Sequence, residues 1–213
     1  MKSDGGTGVH RRQAVLGIVG GFAYAALQPA LASTQEPYFP VSGGPIDPND
    51  KDKGGGAREA SWSSSIAAQS EPGESLILAG TVYDATGRSP REGVTVYAYH
   101  TDDRGFYRKK LWGPPRLRGW TRTNADGRYE FSTIKPGSYP MRSSPAHIHM
   151  TVSVPGMAEW WIPELRFSGD PLLTQKEIDL ASEQGQFASV RPIESAIGGR
   201  RTCVRDIRLP QGW

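Results

Sequence analysis

His147-Ile148-His149 sets two imidazoles at alternate positions of one short segment. Alternate residues of a β-strand project from the same face, so on a strand both rings can reach one metal ion. Two histidines do not complete a metal site, and the remaining ligands must come from elsewhere. No carboxylate stands beside the pair in the chain to build a two-histidine, one-carboxylate triad. The nearby oxygen donors are tyrosines. Tyr139 lies in Lys135-Pro136-Gly137-Ser138-Tyr139-Pro140, just ahead of the histidines, and Tyr107 in Asp103-Arg104-Gly105-Phe106-Tyr107-Arg108. A free phenol has a pKa of about 10, so a tyrosinate at neutral pH needs a hard, highly charged cation beside it. Taken singly, each tyrosine also reads as a packing residue, and the His-x-His as a surface pair. His10 falls in an N-terminal segment treated below, and His100, directly after a strand, reads as structural or solvent-exposed.

These side chains need a frame, and the sequence predicts an all-β one. The 26 glycines and 17 prolines favour turns over long helices. Strands are expected at Leu76–Tyr83, Val94–Tyr99, Gly119–Thr123, Arg128–Ile134, His147–Val154 and Glu164–Phe167, with an alternating closing strand at Thr202–Leu209. Asn124-Ala125-Asp126-Gly127 reads as a hairpin turn. Thr174-Gln175-Lys176-Glu177 has the form of a capping box opening a short helix to about Glu183. The expected architecture for 75–213 is an antiparallel β-sandwich with long loops and one short helix.

Residues 1–32 read as a signal peptide of twin-arginine type: Arg11-Arg12, an apolar run Ala14–Leu27 too short for a comfortable bilayer span, and Ala30-Leu31-Ala32 as a cleavage site. That implies export without a stable membrane anchor after processing. Residues 33–74, rich in Pro, Gly, Ser and charge, read as an extended arm or linker. The net charge is +3; Lys2, Arg11 and Arg12 against Asp4 account for +2, leaving +1, which offers no nucleic-acid surface. The single cysteine, Cys203, allows neither an internal disulfide nor a cysteine zinc site.

One run of residues resembles the intradiol ring-cleaving dioxygenases, the family of the catechol, hydroxyquinol and protocatechuate enzymes. It comprises Gly80-Thr81-Val82-Tyr83-Asp84, Gly93-Val94-Thr95-Val96, Gly105-Phe106-Tyr107-Arg108, Asp126-Gly127-Arg128-Tyr129-Glu130-Phe131, Ile134 to Pro140, Pro145-Ala146-His147-Ile148-His149 and Phe167-Ser168-Gly169-Asp170-Pro171. The ordered tyrosine, tyrosine and His-x-His set is its specific part. The resemblance implies one Fe(III) per chain, held by Tyr107, Tyr139, His147 and His149, with no organic cofactor. It further implies O2-dependent cleavage of a small aromatic diol to a muconate-type dicarboxylic acid, Tyr139 leaving the metal when substrate binds. An oligomer stays open.

The chain departs from the family pattern at two positions. Ser144 stands where many members carry an arginine, for which Arg142 is the candidate replacement in catalysis. Glu164 stands where a glutamine is common; Glu164 and Arg166 are candidates for substrate binding or for pairing with one another. Trp160-Trp161 could line an aromatic pocket or pack, and Arg116, Arg118 and Arg122 could favour an anionic ring substituent or form a solvated edge. Two other readings compete: a non-catalytic binding module of the transthyretin-like or carboxypeptidase-regulatory-like sandwich type, and a metal-binding homologue with an altered reaction.

Overall fold

The computed structural model describes residues 60–107, 114–141, 144–195 and 200–213. The expected signal peptide, most of the expected arm, and Arg142 lie outside the described residues. Among those described, no helix is long and apolar enough to cross a membrane.

The strands run in chain order β1 Ser63–Ser65, β2 Ser75–Tyr83, β3 Thr95–His100, β4 Leu117–Arg122, β5 Arg128–Ile134, β6 His147–Ser153 and β7 Trp160–Phe167. Helix α1, Gln175–Glu183, follows, then a 3-10 turn at Gly185–Phe187 and the short strands β8 Val190–Arg191, β9 Glu194–Ser195, β10 Arg201–Val204 and β11 Ile207–Arg208. One sheet has the order β1-β5-β2-β10-β9 with β11 also on β2; the other has the order β4-β3-β6-β7-β8. The expected all-β sandwich is therefore the fold. Leu76, Leu78, Val82 and Phe131 of the first sheet meet Val96, Ala98, Ile148, Met150, Val152, Leu165 and Phe167 of the second in one buried core.

The long ladders β2–β5, β3–β4, β3–β6 and β6–β7 are antiparallel, as expected. The sheets are nonetheless mixed: β1 joins β5, β10 and β11 join β2, and β8 joins β7, all in parallel. These short partners arrive through long connections, which parallel pairing requires. β1 belongs to the stretch read as an arm; there Ser63–Ser65 pairs with Glu130–Ser132, and Ile66 and Ala67 are buried.

Two local expectations are corrected. The Asn124–Gly127 turn forms, with Gly127 at φ +70° and the Asn124 side chain accepting from the Asp126 and Arg128 amides. It is not a hairpin, because β4 and β5 lie in different sheets: Thr123 stays bonded to Val94, while Arg128 pairs with Thr81. The closing strand is interrupted between β10 and β11. Arg205 N–H donates to Ala79 O, and the Asp206 carboxylate accepts from Thr81 N–H, so the backbone bulges toward β2 at Gly80. A Cβ at Gly80 would stand 2.0 Å from the Arg205 carbonyl oxygen.

The capping box of α1 forms as read, with Thr174 and Glu177 satisfying each other's backbone amides. His100 is fully buried, bonded to Thr101 O and Thr133 Oγ1 at 2.6 Å each, and burial lowers its pKa to about 4. It is a structural residue of the core.

A methyl group at position 80 has no room against fixed backbone. Gly80→Ala is expected to cost about 1–3 kcal/mol or more, read as a lowered midpoint of urea unfolding with an unchanged slope; an unaltered midpoint contradicts the close approach.

Candidate metal centre

β6 is buried on both faces. Ile148, Met150 and Val152 point into the core, and His147, His149 and Thr151 project from the opposite face, as strand periodicity requires. The backbone carbonyl of Pro145 lies 2.7 Å from His147 Nδ1. A carbonyl can only accept, so Nδ1 carries the proton and the Nε2 lone pair is free. His149 Nδ1 lies 3.1 Å from Glu164 Oε1, which fixes the second ring in the same tautomer. Tyr99 on β3, paired with His149 in register, stacks on its ring at 4.6 Å and 17°.

The tyrosines come from two loops that are tied to each other. Asp102 Oδ1 accepts from the Arg104 and Phe106 amides at 3.0 Å each, winding the turn that presents Tyr107. Asp102 O accepts from Gly137 N–H, and Thr101 Oγ1 donates to Gly137 O, so this turn is fastened to the loop bearing Tyr139. Gly105 sits at φ +87°, where a Cβ would lie 2.0 Å from Ser138 O; only glycine allows that approach.

The four side chains converge. Tyr107 Oη lies 2.6 Å from Tyr139 Oη and 2.7 Å from His149 Nε2. Tyr139 Oη lies 2.9 Å from His147 Nε2 and 3.5 Å from His149 Nε2, and the two Nε2 atoms are 3.2 Å apart. Ligands held at roughly 2 Å from one ion stand about 3 Å from each other, so these spacings fit a single coordination shell. The proton count fits too. Each Nδ1 proton is committed elsewhere, leaving two imidazole lone pairs facing each other and two phenol protons for five close contacts. Burial, then the neighbouring His149, holds the His147 pKa below its ordinary value. Burial, then the neighbouring Tyr139, pushes the Tyr107 phenol well above its own. A central cation would offset the penalty on the Tyr107 phenolate and would further favour the neutral His147 imidazole that burial already favours.

A carboxylate absent from the local sequence is present in space. Ligand atoms of His147, His149 and Glu164 lie within 4.8 Å of one another. Glu164 nevertheless meets His149 at Nδ1, the edge turned away from the phenols, and so stands behind the imidazole. A bulge puts it there: Leu165 pairs with Ile148 and Ile162 with Met150, so Pro163 and Glu164 together oppose His149. Burial raises the Glu164 pKa, but the hydrogen bond from His149, the neighbouring imidazoles and Arg166 outweigh it and bring it to about 2. Arg166 Nη2 lies 3.2 Å from Glu164 Oε2, and Nη1 is bonded to Glu177. Of the roles open to Glu164 and Arg166, pairing is the one observed.

Ser144 is buried, and its Oγ has no hydrogen-bond partner among the described residues. Trp161 meets Tyr99 edge-on at 6.3 Å and so borders the site, whereas Trp160 is half exposed and meets Trp213. Arg116 is held by Glu71 at 2.6 and 2.7 Å, and Arg118 donates to Pro115 O. Sequence reasoning passed over Asp102, Tyr99 and the link from Glu164 to His149. Only Asp102 carried a local signal, as the head of a turn ending in glycine.

The chain and its fold match known proteins. The dioxygenase family matches residues 55–209, and the chain belongs to the intradiol dioxygenases. It is similar to the protocatechuate 3,4-dioxygenase beta chain of Burkholderia cepacia, 32% identical over 118 residues, covering 50% of each chain. It is also similar to catechol 1,2-dioxygenase 2 of Acinetobacter lwoffii, 28% identical over 142 residues, 58% of this chain and 50% of that one. The chain thus spans about half the length of these curated relatives. Among solved structures, the dioxygenase domain of a dioxygenase carbohydrate-binding fusion from Streptomyces sp. SirexAA-E superposes with TM-score 0.53 at 27% identity, covering 68% of this chain and 86% of that one. Catechol 1,2-dioxygenase from Acinetobacter sp. ADP1 shares the fold, with TM-score 0.55 at 24% identity, covering 71% and 57%.

Asp102→Ala removes the acceptor for two amides. The loss is expected to be about 1.5–3 kcal/mol, the range for a hydrogen bond to a charged group, with weaker metal uptake in an equilibrium titration. Unchanged stability and uptake together contradict the positioning role.

Proposed function

We propose that this chain is a non-haem ferric intradiol dioxygenase. It holds one Fe(III) through Tyr107, Tyr139, His147 and His149 and uses O2 to open a catechol-type ring between its hydroxylated carbons, yielding a muconate-type dicarboxylic acid. The observation carrying this reading is the convergence of two phenol oxygens and two proton-free imidazole nitrogens at 2.6–3.5 Å. Two phenolates call for a hard trivalent ion, and with one hydroxide they neutralise it, so that no orphan charge is buried.

Ferric iron, when bound, supplies the Lewis acidity that ionises the phenols and draws electron density from a chelated diol, making its ring reactive toward O2. The chain's own residues do the rest. Tyr107 and the two histidines form the permanent part of the site. Tyr139 is the exchangeable ligand: on release its phenolate accepts a proton from the incoming diol. The near-complete burial of His147 and the Tyr99 ring against His149 keep water from the imidazole side. Arg142 supplies positive charge for the activated diol. Arg11-Arg12 and the apolar run behind them direct the chain to the exterior by the twin-arginine route, so the aromatic diol is met outside the cytoplasm.

The buried, unpartnered Ser144 hydroxyl, in place of the arginine of many members, favours one second reading: an iron-binding homologue with a changed reaction. A sandwich that only binds has no use for the four converging donors.

The purified protein is expected to hold about one iron per chain and to absorb in the visible through tyrosinate-to-iron charge transfer; Tyr107→Phe and His149→Ala are expected to lose both colour and turnover. Oxygen uptake with catechol, hydroxyquinol and protocatechuate, with mass detection of the ring-opened acid, tests the reaction. A protein that stays colourless after iron reconstitution rejects the site. Colour without oxygen uptake or product transfers the assignment to the changed-reaction reading.

A further inference from the structure

The contacts behind His149 form a chain that leaves the metal centre. Glu164 Oε1 meets His149 Nδ1 at 3.1 Å, and Glu164 Oε2 meets Arg166 Nη2 at 3.2 Å. Arg166 Nη1 is bonded to Glu177 Oε1. The other oxygen of Glu177 accepts from Thr174 N–H at 2.7 Å and Thr174 Oγ1 at 2.6 Å, closing the capping box of α1. Imidazole, carboxylate, guanidinium and carboxylate thus alternate from the metal-facing nitrogen to the N-terminus of a helix. The side chains of Glu164, Arg166 and Glu177 are 24%, 17% and 29% exposed, so the links are shielded enough to be stronger than surface ion pairs.

The β7 bulge gives this chain its direction. With Pro163 and Glu164 together opposing His149, the carboxylate of Glu164 comes within 3.1 Å of His149 Nδ1. Proline has no amide proton for the ladder and is at home in a bulge. A carboxylate on the far nitrogen of a ligating histidine fixes the ring's tautomer and orientation and raises its basicity. A neutral amide at the same place can accept the hydrogen bond but carries no charge.

We propose that Glu164, held by Arg166 and through it by Glu177 at the start of α1, is a positioning residue that fixes His149 and sets how strongly it donates to the metal. The proposal rests on the ferric reading and adds a determinant that lies outside the four ligands. A more basic His149 makes the iron a weaker Lewis acid, so this centre is tuned away from one in which an uncharged residue backs the same ring.

The experiment compares wild-type protein, Glu164→Gln and Glu177→Gln, each loaded with Fe(III). Iron affinity is measured by competition with a chelator, the tyrosinate-to-iron absorption maximum by spectroscopy, and integrity by thermal melting. Glutamine also serves at the third position of a capping box, so Glu177→Gln keeps the helix start while removing the charge that holds Arg166. Glu164→Gln is expected to bind iron about 10–100-fold more weakly and to absorb at longer wavelength, because a more acidic iron accepts tyrosinate charge at lower energy. Glu177→Gln is expected to move both readouts the same way by less, with its melting transition retained. Coloured variants that match wild type in affinity and spectrum overturn the proposal. A normal Glu177→Gln beside an altered Glu164→Gln overturns it as well, because Glu164 is then held without Glu177. A wild type that takes up no iron overturns instead the ferric reading beneath it.

Discussion

Two imidazole lone pairs face each other at 3.2 Å, and among the described residues the only protons within reach are those of two phenols, Tyr107 Oη at 2.7 Å from His149 Nε2 and Tyr139 Oη at 2.9 Å from His147 Nε2, which are themselves 2.6 Å apart. The imidazole protons are fixed on the outer nitrogens, one by a backbone carbonyl and one by a carboxylate. Two phenols crowd the same point and gain nothing from ionising in a buried place without positive charge. The four groups are crowded, with two phenol protons shared among five close contacts, and their spacing is that of a ligand shell. The sheets, bulge and tied loops serve to hold these four groups together.

The sandwich suits this task because β6 is covered twice. One face is locked by Ile148, Met150 and Val152 in the core, so the histidines cannot slip in register without moving apolar side chains out of it. The other face is covered by the two tyrosine loops and by Tyr99. Short-range strand geometry places the imidazoles, and long-range loop docking places the phenols.

Much of this was legible in the chain. Alternation marked β2, β3, β5 and β6 to within about a residue of their ends, because the same apolar positions that pattern a strand also build the core. The capping box named the start of α1, and the His-x-His named the ligand strand. Other features were not readable, because they depend on which distant segment becomes a neighbour. Turn chemistry at Asn124–Gly127 reports a reversal but not whether the next strand stays in the same sheet. The expected strand Glu164–Phe167 covers only the second half of β7; the observed strand runs from Trp160 through Pro163 as a bulge, and that bulge carries Glu164 to His149. The Gly80 contact with Arg205 likewise joins residues that no local pattern relates.

The docking of the two tyrosine loops has a further consequence. Gly137 is bonded through both its N–H and its carbonyl to the turn that carries Tyr107, and Gly105 leaves no gap against Ser138. Neither loop can translate without dragging the other phenol. If one phenol is to vacate the shell while the other stays, it must do so by torsion about its own Cα–Cβ and Cβ–Cγ bonds, as a swinging ring on a stationary backbone. Exchange at this centre is then a side-chain event, quick and small in amplitude, and needs no rearrangement of the main chain.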